Sequence, residues 1–94
     1  MIIVWLDDAV DDLRSLQRYI ALENPLAASR IGKNILKAVN RLIDQPAIGR
    51  PGRVHNTREL IITDTPFIIP YRVKNKNIEI LRVFHSSMQW PEEI

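Results

Sequence analysis

The chain predicts an α+β fold in βααβββ order. It comprises an N-terminal strand, an antiparallel helical hairpin and a three-stranded antiparallel C-terminal meander, with the helices on one face of the sheet. Three observations carry this expectation. Apolar residues recur at helical spacing in two stretches between Asp7 and Pro46. Three β-branched or aliphatic runs follow: Arg58–Thr63, Phe67–Val73 and Ile78–Phe84, each bounded by Pro, Asp or Asn. A further apolar run, Ile2–Trp5, is long enough for one strand and joins the same sheet.

The first helix starts at Asp7 or Asp8, one of which caps it, and the acids of its first turn suit the macrodipole. Val10, Leu13, Leu16 and Ile20 form its apolar stripe, opposite Asp12, Arg14, Gln17 and Arg18. It ends near Glu23, because Asn24 precedes a proline and avoids helical backbone. The same pair opens the second helix, with Asn24 as cap and Pro25 at its first position. Its stripe is Ile31, Ile35, Ala38 and Leu42, widened by Val39 and Ile43, and Pro46 closes it. Ala47–Asn56 is a loop by composition, long for so small a protein, which points to function or to wrapping round an edge. Asp64-Thr65-Pro66 and Lys74-Asn75-Lys76-Asn77 make the two turns of the meander. Pro70 sits inside the middle strand, where its missing N–H predicts a bulge or an unmade ladder bond.

Ninety-four residues fit one domain, 1–94, with a single core. An apolar share of 46% and a charged share of 26% are those of a globular chain rather than a disordered one. No apolar run approaches the roughly 18 residues of a membrane span, and the acidic N-terminus does not resemble a secretory signal. The chain has no cysteine, hence no disulfide and no thiolate metal site. The expectation is a cytoplasmic protein with no membrane partner and no cofactor. His55 and His85 lack a Cys or paired-carboxylate setting, so no metal is expected. Helix-start electrostatics accounts for Asp7, Asp8, Asp11 and Asp12.

Charge is unevenly placed. Residues 50–85 hold seven bases against three acids, an excess of four, whereas residues 1–49 are balanced. Nine of the thirteen cations are arginine, the residue suited to bidentate carboxylate or phosphate contacts. Arg58, Arg72 and Arg82 interrupt one strand each, which predicts a basic sheet face left uncovered by the helices. Such a face favours an acidic partner, either nucleic acid or an acidic protein segment. Pairing of Arg58 and Arg82 with acids such as Glu59 or Glu79 on neighbouring strands is the competing explanation.

The serial order of DDL (11–13), RYI (18–20), Asn24-Pro25, QP-x-x-GRPGR (45–53), TREL (57–60), Pro66-Phe67, YRV (71–73), EILRV-x-H (79–85) and Trp90-Pro91 resembles the RelE/ParE superfamily of bacterial toxins. The resemblance spans nearly the whole chain, from Trp5 to Pro91. It implies a toxin of a type II toxin–antitoxin pair, neutralised by a cognate antitoxin through an acidic or amphipathic C-terminal segment. Operator DNA would be met only through that antitoxin. RelE-like members cut mRNA on the ribosome; ParE-like members poison DNA gyrase.

Metal-free RNA cleavage needs a base, an acid and cations around the phosphorane. The candidate catalytic set on a RelE-like reading is Arg58, Arg82 and His85, with Glu59, Glu79, His55 and Tyr71 as the other proton carriers. Alternation puts Arg58 and Glu59 on opposite faces, and Arg82 and His85 differ in parity. Many relatives carry a basic residue where this chain has Met88, which leans the reading towards the ParE-like branch. Candidate contacts to a target or antitoxin are Arg50, Arg53, Arg58, Tyr71, Arg72, Arg82 and Trp90. The open alternatives are the mRNA endoribonuclease and an inactive toxin serving only as antitoxin-binding co-repressor. Trp5 is expected in the core, Trp90 as an anchor of the tail, and Gly49-Arg50-Pro51-Gly52 as a turn before any phosphate cradle.

Overall fold

The computed structural model describes residues 1–88. Strand β1 (Ile2–Trp5) leads into α1 (Asp7–Ala21) and α2 (Pro25–Asn40), which continues as a 3₁₀ turn, Arg41–Ile43. Then follow β2 (Arg50–Pro51), β3 (Arg58–Ile61), β4 (Phe67–Lys74), β5 (Asn77–Ile80) and β6 (Phe84–His85). The sheet order is β1-β5-β4-β3-β2, with β6 also on β4. β1 lies parallel to β5, and every other pairing is antiparallel. The α+β order expected from the sequence holds, with two additions. The loop after α2 contributes the short edge strand β2, and the last predicted strand is split into β5 and β6.

The helical hairpin covers one sheet face. Ala9 from α1 and Ile35, Val39 and Leu42 from α2 and its 3₁₀ extension meet Leu60, Ile62, Phe67, Ile69, Tyr71, Ile78 and Ile80 from the sheet. Trp5 packs against this core partly buried. Ile43, expected to widen the α2 stripe, is instead half exposed, because the 3₁₀ turn rotates it away from the α-helical register. The α1 cap also differs: Leu6 holds the N-cap position without a side-chain bond, and Asp7 and Asp8 fall in the first turn. Asn24 does cap α2, accepting from the Ala27 N–H at 3.1 Å, with Pro25 in the first turn.

Ladder phase explains the fate of Pro70. Ile62 N–H donates to Phe67 O, so the odd residues of β4 turn their backbone groups to β3 and the even ones to β5. The missing Pro70 N–H therefore faces β5, while its carbonyl accepts from Leu81 N–H at 3.0 Å. β4 itself runs unbroken. The irregularity lies in the partner: Leu81 aligns with Pro70 but Phe84 with Ile68, three steps against two. This is a β-bulge at Arg82-Val83, opposite the position where the proline offers no donor.

The β4–β5 hairpin closes through Asn75 (φ 52°) and Lys76 (φ 63°), the two positive-φ residues of a type I′ turn. Left-handed backbone strains lysine and suits glycine. Lys76→Gly is expected to stabilise the protein by about 0.5–1 kcal/mol. A rise in the urea midpoint at unchanged m-value is the check.

No described helix is long and apolar enough to cross a membrane.

Candidate functional site

Arg58, Arg72 and Arg82 do not form the single basic face expected from the sequence. Arg58 lies opposite Tyr71 in the ladder and so shares the helix-covered side, whereas Arg72 lies on the other. Each guanidinium is engaged within the fold. Arg58 Nη1 donates to Gly49 O at 2.8 Å and Ala47 O at 3.3 Å. Arg72 Nε donates to Glu79 Oε1 at 2.6 Å. Arg82 Nε and Nη2 donate to the two carboxylate oxygens of Asp12, at 2.7 and 3.1 Å. No described helix lies over the opposite sheet face, yet Glu59, Ile68, Pro70 and Phe84 are buried there, so it is not the bare platform predicted.

Three sheet side chains pin the 46–53 loop. The Tyr71 hydroxyl accepts from Gly49 N–H at 2.9 Å and donates to Pro46 O at 2.8 Å. A Cβ at Gly49 would stand 2.7 Å from the Tyr71 ring and hydroxyl and 3.0 Å from Glu59 O, so only glycine passes there. Glu59, 2% exposed, accepts from Arg50 Nε at 2.9 Å and from Arg53 N–H at 3.0 Å. Arg58 holds the loop carbonyls from the same side. Tyr71, expected as a partner contact, is thus fully buried. Arg50 is half exposed but ion-paired to Glu59. Trp90 lies outside the described residues.

Burial raises the Tyr71 pKa above its ordinary 10.0, opposed by the Gly49 N–H and the Arg58 charge. The folded value exceeds the unfolded one, so the stability it contributes is complete below about pH 10 and is lost as pH rises through the folded value. Tyr71→Phe should remove that alkaline slope. It should also cost about 1–3 kcal/mol at pH 7, because Gly49 N–H and Pro46 O lose their partner. Urea titrations across pH 7–11 measure both effects.

At the other end of β4, the bulge resets the alternation. His85 sits opposite Phe67, and their rings meet edge-on at 5.7 Å between centroids. Asp12, the partner of Arg82, also accepts from Val83 N–H at 2.9 Å and so holds the bulge from α1. This carboxylate raises the Arg82 pKa further. The bulge turns Arg82 towards Asp12, and Asp12 and His85 border one groove, a proximity that strand parity alone did not give. The groove holds about 670 Å³ and is walled by Leu16, Tyr19, Ile20, Ile31, Val83 and Met88. Tyr19 is 78% exposed at its rim. His85 Nδ1 takes the Ser87 N–H at 3.1 Å and lies 2.6 Å from Ser87 Oγ, so local bonding accounts for its pose. The sequence reading missed this groove because it counted the α1 stripe as wholly covered.

Residues 3–90 match the model of a family described as the ParE toxin of the type II toxin–antitoxin system parDE. The chain belongs to the ParE toxin family. It is 44% identical over 88 residues to a Sinorhizobium fredii (strain NGR234) protein named "Putative toxin Y4kP", covering 94% of this chain and 91% of that one. A solved chain of the chromosomal ParDE TA system from P. aeruginosa superposes with a TM-score of 0.83 at 31% identity, covering 90% of this chain and 95% of that one. Within this ParE-type fold the separate engagement of the three arginines is the main departure from the sequence expectation.

Proposed function

We propose that this ParE-family toxin arrests bacterial growth by binding and poisoning DNA gyrase, without hydrolytic chemistry of its own. The observation that carries this reading is the separation of Arg58 from Arg82 and His85. Arg58 holds the loop carbonyls at the Tyr71 end of β4, whereas Arg82 is bound to Asp12 and His85 lies against Phe67 at the other end, so among the described residues that catalytic set is not assembled. A RelE-like centre of Arg58, Arg82 and His85 would need Arg58 to leave the loop carbonyls it holds. Inducing the chain alone in a bacterium tests the reading. The expected result is a DNA-damage response and filamentation with intact mRNA. Codon-positioned mRNA cleavage would overturn it in favour of the endoribonuclease, and unimpeded growth in favour of an inactive co-repressor.

The cognate antitoxin is proposed to seat an amphipathic segment in the apolar groove between α1 and the β4–β6 end. An apolar trough rimmed by an exposed aromatic suits a helix-in-groove partner. Tyr19→Glu should weaken antitoxin capture by at least tenfold while leaving growth arrest intact. Titration calorimetry and a growth assay measure the two arms.

A further inference from the structure

A second cleft lies at the far end of β4, six residues and roughly 20 Å along the strand from Phe67. It measures about 690 Å³ and is bordered by Pro51, His55, Arg58, Arg72, Val73 and Lys74, with Asn56 and Thr57, and contains no acid. Two features coincide there. The first is an open strand edge. β3 begins at Arg58, opposite Tyr71, so the position facing Val73 in the ladder is unfilled by strand. Val73 is odd in β4, so its N–H and C=O turn to that gap rather than to β5, and no described residue bonds them. The second is uncompensated positive charge. Arg58 donates only to neutral carbonyls, and Lys74 makes no ion pair among the described residues. Arg72, in contrast, is already neutralised by Glu79.

We infer that this cleft is a second protein-docking site, taking an extended acidic peptide segment that pairs with the Val73 edge and sets the carboxylates of one face against Lys74, with the Arg58 charge adding to the attraction from the other face. An exposed edge with unpaired N–H and C=O recruits an extended backbone, and the charge selects acidic side chains on it. A nucleic acid could use only the charge, which is small here. The inference does not depend on the gyrase reading, and the cleft is separate from the apolar groove proposed for the antitoxin.

The probe is an acetylated, amidated (Val-Glu)₃ peptide titrated into the full-length ¹⁵N-labelled chain. Its controls are (Val-Lys)₃, a (Val-Glu)₃ peptide N-methylated at alternate residues, and a ten-nucleotide oligo-dT. The expected result is a shift of the Val73 amide with (Val-Glu)₃ alone. Lys74→Glu, at an exposed position, should weaken binding at least tenfold while the remaining spectrum keeps its native dispersion. Equal binding of the N-methylated peptide would overturn strand pairing. Binding of oligo-dT without the peptide would make the cleft a nucleic-acid site, and a silent Val73 amide would also refute the inference.

Discussion

Glu59→Ala lowers the unfolding free energy by about 2–4 kcal/mol, the expected cost of removing a buried carboxylate that satisfies fixed donors. Glu59 receives Arg50 through both Nε and Nη2, each at 2.9 Å, and the Arg53 backbone N–H. The loss falls unevenly on these partners. The Arg50 side chain is 51% exposed and regains water, so its charge is not stranded. The Arg53 N–H loses its acceptor, and the vacated volume lies beneath β2. Glu59→Gln keeps one acceptor and should cost about half as much. Because Tyr71 pins the same loop through Gly49 and Pro46, the Glu59→Ala and Tyr71→Phe effects should not add. Urea denaturation of the two single variants and the double variant gives the coupling. Unfolding of Glu59→Ala within 0.5 kcal/mol of the parent, a margin typical of an unimportant surface change, would show that the carboxylate does not hold the loop.

Asp12→Ala is the second large effect, a loss of about 2–3 kcal/mol. One carboxylate here binds Arg82 bidentately and also caps Val83 N–H, so it joins α1 to the bulge across seventy residues of sequence. Both side chains are only partly exposed, which spares the pair most of the screening that weakens surface ion pairs. Asp12→Asn retains an acceptor for Val83 but loses the charge, and should fall between the parent and alanine. The functional consequence lies one step further along the chain. If the bulge relaxes, His85 leaves its place against Phe67 and the groove loses that wall. Hydrogen exchange at the Val83 amide should accelerate in Asp12→Ala well beyond global unfolding. Exchange unchanged from the parent would mean the bulge is held by Pro70 and the ladder alone.

These two carboxylates also mark where the sequence stopped being legible. The α2 start was readable because Asn24 and Pro25 act locally, within one turn. The span of β4 was readable because its apolar run and its flanking turns are contiguous. The faces of the three arginines were not. Strand alternation fixes sides within one strand, but the register between strands decides whether Arg58 joins Arg72, and here Arg58 aligns with Tyr71. The bulge was hidden for a different reason: its missing donor is in β4, its extra residue is near Arg82, and its clamp is in α1. Of the two outcomes expected at Pro70, β4 shows the unmade ladder bond, and the bulge falls on the partner strand instead. Strand β2 escaped because Arg50-Pro51 has no strand propensity, and Glu59 draws it to the edge. Tyr71 was read as a surface contact since YRV shows no sign that a hydroxyl will be closed over by a loop twenty-two residues upstream.

Purified gyrase supercoiling of relaxed plasmid, titrated with this chain, tests the central claim most directly. Gyrase poisoning predicts loss of supercoiling at toxin concentrations comparable to the enzyme's. The same loss should occur with Arg58→Ala once that variant is shown to be folded, since the arginine holds the loop and transfers no proton. Normal supercoiling at a large excess of folded toxin would contradict it.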